Sequence, residues 1–172
     1  MTSIDQLLCE HEIAQLKYRY MRGIDTHDWA LLAACFTDDA ELWPSKGNYV
    51  AKGRDAIVEL LRAVIHEGFY SSHIVAHPEI EMHDADHASA VWRLEDVVFY
   101  TTANPAISHI GVHGGEELHG AGYYHDEYER TPDGWKIASC GYVRIFEDIR
   151  RPGEIDGTLS VDPDRGLLAG YE

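Results

Sequence analysis

A phenol, two carboxylates, an imidazole and a guanidinium fall on patterns in this chain that otherwise read as apolar. Tyr20 continues the helical stripe Ile13, Leu16, Tyr20 and Ile24, the spacing of a buried helix face. Its hydroxyl will need a partner there. Asp25 follows five residues on, about 140° further round an ideal helix. The two can share one pocket only if the helix ends near Gly23, and glycine ends helices readily. His73, Asp96 and Arg144 lie on strand faces whose neighbours are apolar: Asp96 between Leu94 and Val98, Arg144 between Tyr142 and Phe146. Buried charge is costly unless paired. Taken singly, each residue reads as a satisfied structural group, such as an interior ion bridge or a packed phenol. Together they read as the wall of one apolar cavity. A neutral histidine can act as a base near neutral pH, an adjacent carboxylate can orient it, and a phenol can donate to a developing oxyanion.

Other chemistry has no matching signature. His109, His113 and His119 share a long connection with Glu116 and Glu117, but Gly111, Gly114 and Gly115 argue against the helix that would align the first two. There is no His-Glu-x-x-His run, Cys pair, Gly-x-Ser-x-Gly elbow, phosphate loop or dinucleotide fingerprint. The expectation is a site with no metal and no cofactor. Cys9, Cys35 and Cys140 are too few and too widely spaced for a disulfide framework, and read as buried thiols.

The 172 residues suit one domain, and 45% apolar content argues against disorder. Thirty acidic residues against fourteen basic give a net charge of −16, which disfavours nucleic acid and anionic membrane as partners. A single inward arginine could still hold an anionic group. No run reaches membrane-span length, and the N-terminus lacks a signal-peptide layout, so a cytoplasmic location is expected.

The elements that must carry these side chains follow from periodicity. Residues 5–24 read as a first helix, with Asp5, Gln6, Glu10, Glu12 and Lys17 on its polar face. Asp28 starts a short second helix bearing Trp29, Leu32 and Phe36, and Thr37-Asp38-Asp39 breaks it. Residues 40–43 and 49–51 read as a hairpin around Pro44-Ser45-Lys46-Gly47-Asn48. A third helix spans 53–65, with Ile57, Leu60, Leu61, Val64 and Ile65 as its buried stripe. The period then becomes alternating. Extended segments over 71–77 and 79–83 are interrupted at Pro78, and long strands follow over 88–100, 119–130 and 135–146. The connection 101–118 is long enough to suggest a functional role. The domain is expected over residues 1–148, with 149–172 a tail that is partly ordered or ordered against a partner subunit. Helices first and long antiparallel strands after give an α+β fold. A strongly curved mixed or antiparallel sheet wrapped over three helices makes a cone-shaped barrel, whose mouth is a natural small-molecule site.

The order Tyr20…Asp25-Thr26-His27-Asp28-Trp29, Ser72-His73, Trp92-Arg93-Leu94-Glu95-Asp96, Gly122-Tyr123-Tyr124 and Gly141-Tyr142-Val143-Arg144-Ile145-Phe146 resembles the SnoaL-like branch of the nuclear-transport-factor-2 superfold. Within it the chain is most similar to the bile acid 7α-dehydratases, over about residues 10–148. The resemblance implies a cystatin-like α+β barrel and a site of Tyr20, Asp25, His73, Asp96 and Arg144, with Tyr124 on the substrate side. Those dehydratases also place a tyrosine on the first hairpin, where this chain has Trp43-Pro44 and, nearby, Tyr49. It implies elimination of water from a hydroxylated, steroid-like or other polycyclic ketone. A ketosteroid-type isomerase, a polyketide cyclase or a non-catalytic binding domain are the alternatives on the same scaffold. Exposed sheet surface in such cones is usually covered by another copy, so a homodimer or homotrimer is expected.

Overall fold

The apolar stripe of the first helix becomes α1 (Ser3–Thr26), with Ile13, Leu16, Tyr20 and Ile24 all at most 3% exposed. The computed structural model describes residues 3–43, 51–103 and 114–151. The helix does not stop at Gly23. It runs to Thr26, and His27 ends it in the left-handed region with φ 56°. Gly23 serves close packing instead, because a Cβ there would lie 3.3 Å from the backbone nitrogen of Leu32 in α2 (Trp29–Ala34). Asp28 caps α2 by accepting from the Leu31 N–H at 2.9 Å, as its position predicts.

The first strand, β1 (Phe36–Trp43), starts four residues before the predicted one and absorbs Thr37-Asp38-Asp39. The cause is tertiary: β1 pairs in parallel with the last strand, Phe36 opposite Ile137 and Leu42 opposite Cys140, a partner no local pattern reveals. β2 (Ala51–Lys52) returns antiparallel to β1, completing the expected hairpin, whose tip lies outside the described residues. α3 (Arg54–Val64) follows, with Ile57 fully buried and Leu60, Leu61 and Val64 half-buried.

The antiparallel remainder is β3 (Phe69–Met82), β4 (His87–Tyr100), β5 (Glu116–Thr131) and β6 (Gly134–Arg150). The sheet order is β2-β1-β6-β5-β4-β3, a curved, unclosed mixed sheet in an α+β fold. β3 is one strand and not two. The irregularity around Pro78 is a bulge between Ala76 and Glu79, with His77 at φ 48°. Since β3 is an edge strand, a bulge and a proline also protect its unpaired side. β6 carries through the expected boundary at 148 to Arg150.

One sheet face meets the helices. Trp92, Leu94, Phe36, Ile137, Ile13, Leu16 and Leu32 are at most 2% exposed and form the centre of the core. All three cysteines are free thiols within it. No helix among the described residues is long and apolar enough to cross a membrane.

Candidate active site

Asp25 and His73 meet where the end of α1 crosses the edge of β3. Residue 73 sits at that edge, so its backbone N–H is not needed by β4 and donates to Asp25 Oδ2 at 3.0 Å. Ser71 Oγ, two residues earlier on the same strand, donates to Asp25 Oδ1 at 2.7 Å. The imidazole Nδ1 is also 2.7 Å from that oxygen. A carboxylate only accepts, so Nδ1 carries the proton, and in the neutral imidazole Nε2 presents its lone pair. The His73 side chain is 10% exposed and that of Asp25 24%.

Beyond Nε2 lies a second charged pair. Asp96 Oδ2 is 3.7 Å from it, and the Asp96 side chain is 2% exposed. Arg144 grips Asp96 with both terminal nitrogens, Nη1 to Oδ1 and Nη2 to Oδ2, each at 2.6 Å. This fork-to-fork geometry is the strong form of the contact. β5 makes room for it: a Cβ on Gly120, which pairs with Asp96 across the sheet, would come within 2.5 Å of Arg144 Nη1 and 2.6 Å of Asp96 Oδ1. Arg144 Nε lies 3.1 Å from Glu147 Oε1. Burial alone would lower the Arg144 pKa, but the hydrogen-bonded Asp96 carboxylate outweighs it and raises the pKa. The guanidinium centre is also 4.9 Å from the Tyr142 ring.

Phenols flank this pair. Burial pushes Tyr100 up to about 12, with the charges of Tyr142 and Asp96 adding to the rise. Tyr142 is raised chiefly by burial, against the opposing charge of Arg144. Both therefore stay protonated as donors at neutral pH.

Tyr20 turns into the core. Because α1 continues past Gly23, Tyr20 and Asp25 diverge. The Tyr20 ring packs at right angles to Phe36 and Tyr124, 5.7 and 6.3 Å between centroids. It is raised well above its usual pKa, by burial first and then by Cys140, to which its hydroxyl is hydrogen-bonded. Tyr124 stands between the two regions, touching Tyr20 on one side and Tyr142 on the other. Trp43 points to the opposite face of the sheet: its indole covers Gly141, stacks on His125 and donates to Ser139 Oγ at 3.1 Å. The physical reason is alternation, since Leu42, its neighbour in β1, takes the inward side. Tyr49, His109 and His113 lie outside the described residues. Among the described residues no group of three or more His, Cys, Asp or Glu side chains converges as a metal site.

Sequence reasoning missed a second polar cluster. Lys17, assigned above to the polar face of α1, is fully buried and pairs with Asp126 Oδ2 at 2.7 Å, both side chains at 0% exposure. Its ammonium also lies 3.6 Å from the Tyr124 ring centroid. Tyr128 donates to the same Asp126 oxygen at 2.7 Å and accepts from Trp92 Nε1 at 3.0 Å. The signal was present in the spacing: Lys17 is four residues after Ile13 and three before Tyr20, and Asp126 alternates with the inward Tyr124 and Tyr128.

The SnoaL-like domain model matches residues 5–141. Three solved structures give the likeness in three dimensions. A candidate scytalone dehydratase from Novosphingobium aromaticivorans is 20% identical, over 86% of this chain and 91% of its own, at a TM-score of 0.72. The LinA-type3 hexachlorocyclohexane dehydrochlorinase of Novosphingobium barchaimii is 19% identical, over 94% and 100%, at 0.73. An NTF2-like protein with a cystatin-like fold, also from N. aromaticivorans, is 24% identical, over 83% and 85%, at 0.60. At these identities the likeness is one of fold.

Proposed function

We infer that this chain, which belongs to the SnoaL-like domain family, is a hydro-lyase that eliminates water from a hydroxylated, mainly apolar carbocyclic ketone. The observation that carries the reading is the Asp25–His73 dyad: a 2.7 Å contact fixes Nδ1–H toward the carboxylate and leaves Nε2 as the base. Two of the similar folds belong to proteins named for eliminations, a dehydratase and a dehydrochlorinase.

In the proposed step, Nε2 takes the proton from a carbon next to, or vinylogous to, the ketone. The electron pair moves into the enolate and then expels the hydroxyl group, forming the conjugated double bond. The proton on Nε2 passes to the departing hydroxide, giving water and neutral His73. Asp25 stabilises the imidazolium between these events, as an orienting carboxylate does. Asp96, gripped by Arg144, faces the same cation from the Nε2 side. Tyr142, whose ring lies 4.9 Å from the Arg144 guanidinium, and the neighbouring Tyr100 are assigned the oxyanion-donor role together with Tyr20. Tyr124 is assigned to the pocket floor. General acid–base catalysis of this kind supplies about 10²- to 10⁴-fold.

The test is a panel of hydroxylated 3-oxo-steroids and related polycyclic ketones, followed by the new enone absorbance and by mass. Loss of one water supports the reading, while a double-bond shift at unchanged mass replaces it with an isomerase. Binding without turnover, unaffected by Asp25→Asn and His73→Ala, would leave a binding domain. The outward Tyr123 and Val143, 39% and 41% exposed, are assigned to contact with a further copy of the chain. Light scattering at working concentration tests for a dimer or trimer.

A further inference from the structure

Ser71 lies opposite Val98 and His73 opposite Asp96 in the β3–β4 ladder, while the intervening Ser72 is exposed. The two side chains therefore share one face of β3, about 6.6 Å apart along the strand. Asp25 lies between them and takes three donors. Oδ2 accepts the His73 N–H at 3.0 Å, and Oδ1 accepts both Ser71 Oγ–H and His73 Nδ1–H, each at 2.7 Å. A carboxylate oxygen offers two lone pairs, so these two donors fill Oδ1.

Burial does not secure this carboxylate. Its side chain is 24% exposed. It lines a groove of about 390 Å³ that opens between the outer flank of α1 and the edge of β3, walled by Tyr18, Met21, Ile74 and Val75. Water entering the groove competes for its lone pairs. The last torsion of an aspartate is broad and two-fold, so hydrogen bonds decide which oxygen faces the imidazole and at what angle. Of the three donors, one is backbone and one is the base itself. Among the described residues, Ser71 is the one other side chain bonded to Asp25. The fold does not demand the bond, because Ser71 is half-buried on an edge strand, where water can serve its hydroxyl.

We propose that Ser71 is a positioning residue of the dyad. Its hydroxyl locks the Asp25 carboxylate so that Oδ1 stays in line with Nδ1–H and Nε2 stays aimed at the carbon that loses its proton. The role rests on the elimination reading for the reaction it serves, and adds a residue that touches neither the substrate nor the moving proton. Without the hydroxyl, water takes its place on Oδ1, the carboxylate rocks, and the imidazole follows it. Misplacing the base costs rate and spares substrate binding, so the loss falls on kcat.

The experiment compares wild type, Ser71→Ala, Ser71→Cys and Ser71→Thr in two ways. One is turnover of the hydroxylated 3-oxo-steroid that wild type handles best. The other is water exchange of the His73 Nδ1 proton by NMR, the resonance being assigned by its loss in His73→Ala. Alanine removes the donor. Cysteine keeps the size with a much weaker donor, and stands in if alanine disturbs the strand. Threonine restores the hydroxyl on a residue that strands favour. Ser71→Ala and Ser71→Cys should each lower kcat about tenfold, with KM within about twofold. Both should speed exchange of the Nδ1 proton about fivefold, the order of one lost hydrogen bond. Ser71→Thr should recover most of both losses. Unchanged kcat, slower turnover without faster exchange, or losses that threonine does not restore overturn the role while leaving the elimination standing. If wild type turns over no compound of the panel, the elimination reading fails, and proton exchange alone then decides. Faster exchange in Ser71→Ala and Ser71→Cys that Ser71→Thr reverses supports the clamp on Asp25; any other exchange pattern overturns it.

Discussion

Replacing Asp25 by Asn keeps size and shape but changes which atoms can accept. The carboxylate now receives three donors: Ser71 Oγ at 2.7 Å, the His73 N–H at 3.0 Å and His73 Nδ1 at 2.7 Å. An amide has one acceptor oxygen, so at least one of the three must face its NH₂ group. The backbone N–H cannot change its role. The imidazole can, by moving its proton to Nε2 so that Nδ1 accepts. That rearrangement satisfies the hydrogen bonds and removes the base, because Nε2 no longer has a free lone pair. Loss of both the tautomer and the countercharge is worth about 10⁴-fold in kcat, or about 5.5 kcal/mol of transition-state stabilisation. Folding should suffer less, by about 1–3 kcal/mol for the weakened buried hydrogen bonds. The assay is kcat and KM on the best substrate of the panel, with a urea melt of the same preparation. His73→Ala and the double variant complete it, and since the two residues act as one unit the double variant should lose no more than His73→Ala alone. Asp25→Asn activity within about tenfold of wild type in a folded protein would refute the tautomer argument, and with it the assignment of His73 as the base.

Gly120→Ala should push the Asp96–Arg144 pair off its seat, since the new methyl group would stand 2.5 Å from Nη1 and 2.6 Å from Oδ1. A loss of about 1–3 kcal/mol in a denaturant melt is expected, and an unchanged midpoint with unchanged kcat would contradict the placement. Lys17→Met leaves the buried Asp126 without its 2.7 Å partner, and should cost about 3–5 kcal/mol. Adding Asp126→Asn should recover part of that loss, whereas simple additivity in the double-mutant cycle would argue against a coupled pair. Burial raises Cys140 from 9.0 to about 12 and Cys35 to about 11. The folded state therefore holds these protons after the unfolded chain has released them, so stability should be intact below pH 9 and fall as pH rises toward 12. At pH 8 the native thiols should resist maleimide and react only on unfolding; prompt native labelling of either residue would count against their burial.

Much of this was readable from periodicity. The strand over 88–100 and the grouping of Asp96 with Leu94 and Val98 on one face were legible from the alternation, and that face is buried. Which face turns inward was not, because the middle of the strand is apolar on both sides. Asp28 was legible as a cap because capping is local. The parallel pairing of β1 with β6 was not, since its partner lies about a hundred residues away in the chain. The direction of Trp43 was lost with it: the inward or outward sense of a short strand is set by what it pairs with, and a hairpin read alone leaves both senses open.

The error about Gly23 has a wider consequence. A glycine in a helical pattern is ambiguous between an end and a close approach, and the second holds here because α2 packs within 3.3 Å of where its Cβ would be. Had α1 stopped at Gly23, Tyr20 and Asp25 could have faced one pocket. Because it continues, one helix serves two polar systems on different sides of its axis. Lys17 and Tyr20 turn into the core toward Asp126, Tyr124 and Cys140, while Asp25 turns to the open edge of β3. The edge position is what makes the dyad possible: an interior strand would have used the His73 N–H in its ladder and left Asp25 with one fewer anchor. The same edge leaves the outer flank of α1 uncovered as far as Arg22. Catalytic geometry and access from outside thus share one structural cause.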